Sequence, residues 1–240
     1  MGCFERLSEK RWKKEGDDRP VPQGGAKRYF FLLGTHFWKL MTGNLLFIAF
    51  SVPVVTLPAS LAALNRVCIK LVRDGNCLLW QEFWEEWKSG FLSSLLLGVP
   101  YGAGLAASYY LFSLGLSNAQ GVYGVLFTAL GILALVAAML GGSWAFVLKS
   151  MLALENRDVR RNACILAMTE GKRDLMIAGV LLIAGATAVL LFPVSLFAIV
   201  LILPAITQLT LCSIINTPVQ KRVIAPFEAA QAQRVSPPAD

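Results

Sequence analysis

Arg66, Lys70 and Arg73 stand at i, i+4 and i+7, so a helix through them would carry all three cations on one face. Glu82, Glu85 and Glu86 follow in LWQEFWEEWKSGF, a second expected helix whose other face is Trp80, Phe83, Trp84, Trp87 and Phe91. The plain expectation for the second helix is an interfacial one with its tryptophans at headgroup level. Its acidic face can also pair with the neighbouring cations or offer a docking face to a partner. Arg66 carries a further expectation. It lies about two turns into its helix, deeper than a loop residue, and an ionisable group inside a membrane is by default a functional candidate. The plainer expectation is that Arg66 snorkels, meets a helix-end carbonyl or pairs with the acidic helix.

Catalytic chemistry finds little footing in this chain. There is one histidine, His36, without acidic neighbours. No G-x-S-x-G, phosphate loop or H-E-x-x-H occurs, and no cofactor or metal is implied. The five cysteines are scattered without C-x-x-C spacing, which argues against a disulfide framework or a zinc site. An enzyme is not expected.

The elements that must position these residues are membrane helices. Of 240 residues, 56% are hydrophobic and 15% charged, against about a quarter charged in soluble domains. No charged residue occurs between Lys88 and Lys149 or between Asp174 and Lys221, and each gap could hold two spans of ~20 residues. The expected spans are 91–114, 122–146, 175–192 and 194–216, the last two separated at Pro193. The polar, basic start lacks the apolar core of a signal peptide, and Arg6 stands where a myristoylation signal needs Ser or Thr. A net charge of +7 is explained by topology before nucleic acid, which is not an expected partner.

Lys and Arg number nine up to Lys39, four from Arg66 to Lys88, six from Lys149 to Arg173 and three from Lys221 onward. If residues 40–65 cross the bilayer once, nine cations oppose thirteen. If they turn back, all twenty-two share one side, the arrangement favoured by the Lys/Arg bias of cytoplasmic loops. Pro53 and Pro58 bracket VVTL and supply the corner. A helix over 37–52 would climb and one over 59–73 would descend. The expected fold is therefore all-α, a polytopic bundle of about six membrane-embedded helices with amphipathic interfacial helices and both termini cytoplasmic. The first two helices form either crossings or a re-entrant hairpin packed inside the bundle. Pro53 and Pro58 are its candidate hinges. Gly98 and Gly102 form a small-xxx-small packing pair, with kinks expected at Pro100 and Pro204. A basic tail covers 1–28, the membrane domain 29–223 and a C-terminal tail 224–240. The loop ENRDVRRNACILAMTEGKRD shares its layout with the Trp-rich segment, each leading into a span.

HFWKLMTGNLLFIAFSVPVVTLPASLAALNRVCIKLVRDG resembles the hallmark of the YesL-like family, bacterial membrane proteins of unknown function. WQEFWEEWKSGF is similar to the segment that follows it there, with Gly90 where Asn is usual, and RRNACILAM and INTPVQKRV resemble later segments. The likeness covers roughly Tyr29 to Val223. It implies an accessory role in saccharide uptake in the cytoplasmic membrane, beside sugar-import transporter subunits, and it supplies no catalytic or ligand residues. Two other expectations stand beside it: a small-solute transporter or channel lined by Arg66 and the hairpin, and a structural factor in membrane assembly.

Overall fold

The computed structural model describes residues 25–118, 121–152, 154–190, 192–193 and 195–225, and among them every element is helical. Helix α1 (Gly25–Thr35) leads into α2 (Phe37–Ser51), and after a corner comes α3 (Leu57–Asp74). Helix α4 (Leu79–Ser89) joins α5 (Phe91–Ser117) through Gly90, and α6 (Val122–Met151) runs back. Helix α7 (Asn156–Thr169) joins α8 (Gly171–Leu190), followed by the short α9 (Ser195–Leu201) and α10 (Leu203–Val219). Most of the expected tails lies outside the described residues, although Lys27 and Arg28 already belong to α1.

The proline corner forms as its residues dictate. Helix α2 ends before Pro53, which is extended (φ −76°, ψ 112°), and a 3-10 turn over Val54–Thr56 carries the chain into α3. Pro58 sits in the first turn of α3, where a missing N–H costs nothing. Thr56 Oγ1 lies 2.5 Å from the Phe50 carbonyl oxygen and 2.6 Å from that of Pro53, so its hydroxyl serves carbonyls that the end of α2 leaves open. At the other end Gly75 (φ 75°) closes α3 in the left-handed region open to glycine. His36 Nε2 then donates to the Gly75 carbonyl at 2.8 Å.

Helix α3 is the axis of the molecule, with eleven of its 18 residues buried. It packs on α2, α4, α5, α6 and α10. Trp144 of α6, Phe83 of α4 and Leu209, Leu211 and Ile215 of α10 fill the space around it. Helices α5, α6 and α8 are apolar on nearly all sides yet mostly exposed, the surface a lipid solvent requires. Val54–Asp74, Phe91–Ser117, Val122–Met151 and Gly171–Leu190 are each long and apolar enough to cross a membrane. This fits a helical membrane protein.

The packing separates the first of these four from the rest. Gly98 of α5 lies so close to the corner that a methyl there would be 2.7 Å from Pro58 Cγ. Gly98 is only seven residues into a 27-residue helix, so about 28 Å of α5 runs on beyond the corner. Helix α2, with 15 residues, spans about 22 Å, short of a ~30 Å hydrocarbon core. The hairpin thus reaches a fraction of the height of α5 and α6. The α3 arm of the hairpin packs inside the bundle, whereas the corner does not: Val52, Val54 and Val55 are largely exposed.

Helix α5 continues through Pro100. One further expectation is corrected. The last expected span is more than kinked, because it divides at Ile202 (φ −156°, ψ −20°), with Pro204 in the first turn of the new helix. Asn44, fully buried on α2, holds this break together. Its Nδ2 donates to the Ile199 and Val200 carbonyls at 2.9 and 2.7 Å, and its Oδ1 accepts from Ala205 N–H at 3.1 Å. One side chain thereby satisfies orphan groups on both sides of the interruption.

Candidate functional site

The cationic face of α3 and the acidic face of α4 do meet, through one carboxylate. Glu82 bonds Lys70 Nζ, and its other oxygen lies 3.7 Å from Arg66 Nε. Glu82 is well shielded (17% exposed) while Arg66 and Lys70 are about a third exposed, so the cluster is half-desolvated. Arg66 Nη1 also donates to the Ser150 carbonyl at 3.2 Å, in the last turn of α6. A cation there complements both the open carbonyls and the negative end of the helix dipole. Arg66 is therefore bound to a helix end and to the acidic helix together.

Arg73 goes elsewhere. Its Nε donates to Asn216 Oδ1 of α10 at 3.1 Å, and its carbonyl accepts from Arg28 Nη2 at 2.9 Å. Glu85 is exposed, its backbone carbonyl bonded by Ser89 Oγ at 2.7 Å. Glu86 is half-buried, folded back so that a methyl on Gly90 would sit 2.9 Å from its Oε1. Desolvation pushes its pKa above the usual carboxylate value, outweighing the opposite pull of Arg66 and Lys149. Of six expected charged residues, three form one cluster, Glu86 lies in its field, and Arg73 and Glu85 stand outside.

The aromatic face of α4 packs against the hairpin. Trp80, Trp84 and Trp87 stack in parallel down the helix, with centroids 6.1 and 5.5 Å apart. Phe50 of α2 meets Phe83, Trp84 and Trp87 at 5.1 to 5.8 Å. Phe83 is buried, whereas Trp80 remains 59% exposed. Lys88 Nζ sits 4.8 Å over Trp84, a cation–π contact on the outer side. Helix α4 is thus anchored through Phe83, Trp84 and Trp87, while Glu85 and Lys88 are accessible and Trp80 is the exposed N-terminal end of the aromatic stack.

A second polar knot lies beside the first. Lys149 Nζ donates to Ser93 Oγ, which donates to Asn156 Oδ1 at 2.9 Å, and Asn156 Nδ2 returns to the Ser93 carbonyl at 2.8 Å. It ties α5, α6 and α7 at one level. Nothing in the local sequence announces it, since its partners are 56 and 63 residues apart.

The packing pair divides. Gly98 is required by Pro58, but Gly102 meets nothing within 4 Å and is not a contact residue. The close approach of α5 and α6 uses other glycines, Gly115 against Thr128 and Gly131 against Ser108, whose hydroxyl donates to the Gly131 carbonyl at 2.8 Å. Cys77 is buried, which pushes its thiol up to about 12, and Cys164 is exposed.

Residues 40–111 match a family described as a protein of unknown function, DUF624. The matched stretch runs from α2 into α5 and contains the proline corner, Arg66, Lys70, the whole of α4 and Gly98. Comparison with curated proteins and with solved structures gives no match. The chain is thus similar to the DUF624 family over its corner, its cationic face and its aromatic helix.

Proposed function

We propose that this protein is a non-enzymatic accessory or regulatory component of a cytoplasmic membrane, docked to its partner through the outer face of α4. The observation that carries this reading is that α4, anchored through Phe83, Trp84 and Trp87, leaves Trp80, Glu85 and Lys88 exposed. Exposed tryptophan beside mixed charge is the composition of an interface core and rim. The YesL-like resemblance makes the partner a sugar-import transporter subunit. Both termini lie in the cytoplasm with the basic loops. The chain has six membrane-embedded helices if α9 and α10 count as one, and α2–α3 is a re-entrant hairpin.

A transporter reading has less support. Among the described residues no Asp, Glu, Lys or Arg is buried, and Arg66 is engaged by Glu82 and the Ser150 carbonyl. A role as a structural assembly factor has no distinctive observation behind it.

The test is affinity purification from native membranes of the wild type and of a Trp80→Ala, Glu85→Lys variant. Transporter subunits should co-elute with the wild type and be lost from the variant, while its thermal unfolding stays unchanged. Identical co-eluting proteins from both would rule out docking through α4.

A further inference from the structure

Arg28 of α1, Arg73 of α3 and Arg173 of α8 line one cleft of about 1160 Å3 between α1, α8 and α10. Against these three guanidiniums the lining holds a single carboxylate, Asp74. The cluster is also short of acceptors. Arg28 Nε, Arg73 Nη2 and Arg173 Nη1 are each buried without a hydrogen-bond partner. Glu170 lies 3.5 Å from Arg173 Nη1, but its other oxygen takes Arg222 at 2.8 Å. Buried donors are ordinarily satisfied, and two unpaired arginine donors beside a third held only by a long ion pair favour a further acceptor in this cleft. Lys27, Lys172 and Lys221, next in sequence to lining residues, are exposed and add to the positive field.

The rest of the lining is apolar and follows a membrane helix. Met176, Val180 and Ile183 extend the cleft along α8 for about 15 Å from Arg173. Met176 and Ile183 are exposed on the outer surface, so the cleft opens sideways toward lipid. A cationic, donor-rich end continuous with an apolar groove fits a ligand with an anionic head and a hydrocarbon tail.

We propose that this cleft binds an anionic phospholipid, its phosphate among Arg28, Arg73 and Arg173 and one acyl chain against Met176, Val180 and Ile183. Guanidinium forks match phosphate oxygens, and basic pockets between membrane helices hold such head groups. The head group bridges α1, α3 and α8, which the protein's own hydrogen bonds join incompletely here.

The test uses the full chain in detergent, with thermal unfolding followed against added phosphatidylglycerol, phosphatidylcholine or sodium phosphate. Phosphatidylglycerol should raise the unfolding temperature and the other two should not. The variant Arg28→Gln, Arg173→Gln should lose about 30-fold in apparent affinity for phosphatidylglycerol, and Arg157→Gln, exposed and outside the cleft lining, should lose none. A second readout leaves the arginines in place. With Ser213→Cys, a lining position, in a Cys3→Ser, Cys164→Ser background in nanodiscs, phosphatidylglycerol should slow maleimide labelling and phosphatidylcholine should not. Equal effects of the two lipids, or full response in the double arginine variant, would overturn the proposal. An equal response to sodium phosphate would make the site one for free phosphate and overturn the lipid assignment.

Discussion

Glu82 is the carboxylate on which two cations of α3 converge, and its replacement should be felt more than that of its neighbours. Glu82→Gln leaves Lys70 and Arg66 facing a neutral amide in a partly shielded position. The expected loss is about 1 kcal/mol, discounted for the third of each cation that water still reaches. For a chain of this size that lowers the unfolding temperature by about 2–4 °C, whereas Glu85→Gln should not move it. Glu86 should show itself through pH. Burial raises its pKa in the folded state, so the folded protein holds that proton to higher pH than the unfolded chain. Stability is highest below the unfolded value, falls between the two and stays reduced above the folded one. Glu86→Gln is neutral throughout. It should match the wild type near about pH 4 and exceed it near about pH 8, measured by thermal unfolding in detergent. A variant less stable than wild type at the higher pH would mean that attraction to Arg66 and Lys149 dominates over desolvation.

At the scale of elements, Gly98 and Gly102 look alike in the sequence and differ in the fold. The glycine spacing marks a face, but which glycine meets a neighbour depends on how far the hairpin climbs along α5. The corner stops at Gly98, so only that position is crowded. Gly98→Ala must displace the rigid Pro58 ring and should cost about 1–3 kcal/mol. Gly102→Ala should be neutral or gain up to about 1 kcal/mol from helix propensity. Denaturation of the two purified variants side by side separates these outcomes. The hairpin itself was legible because its signals are local: Pro53 and Pro58 bracketing VVTL, and cations at helical spacing in the segment that follows. The joint between α9 and α10 was not. Pro204 announces a bend, but the actual break at Ile202 depends on an amide that arrives from α2, and no local pattern records it. The Lys149–Ser93–Asn156 knot was hidden for the same reason.

For the whole molecule, the proposed topology rests on the cation count, which favours all basic segments on one side of the bilayer. Topology is best checked at Cys164, which is exposed, whereas Cys77 is buried with its thiol pKa pushed up to about 12 and would resist reagent from either side. In intact cells an impermeant maleimide should spare Cys164 and label a cysteine introduced by Ser117→Cys at the end of α5. Labelling of Cys164 from outside would reverse the orientation.

Asn44 also places a demand on the order in which the chain is made. It enters with the second helix, but its acceptors Ile199 and Val200 and its donor Ala205 follow 155 to 161 residues later. At typical synthesis rates that interval is about 10–30 s. Until those residues are made, the Asn44 amide lacks the partners it has in the finished fold. A ribosome that stalls before residue 199 would therefore leave behind not a smaller finished bundle but one with an open polar seam, a ready mark for proteolytic removal.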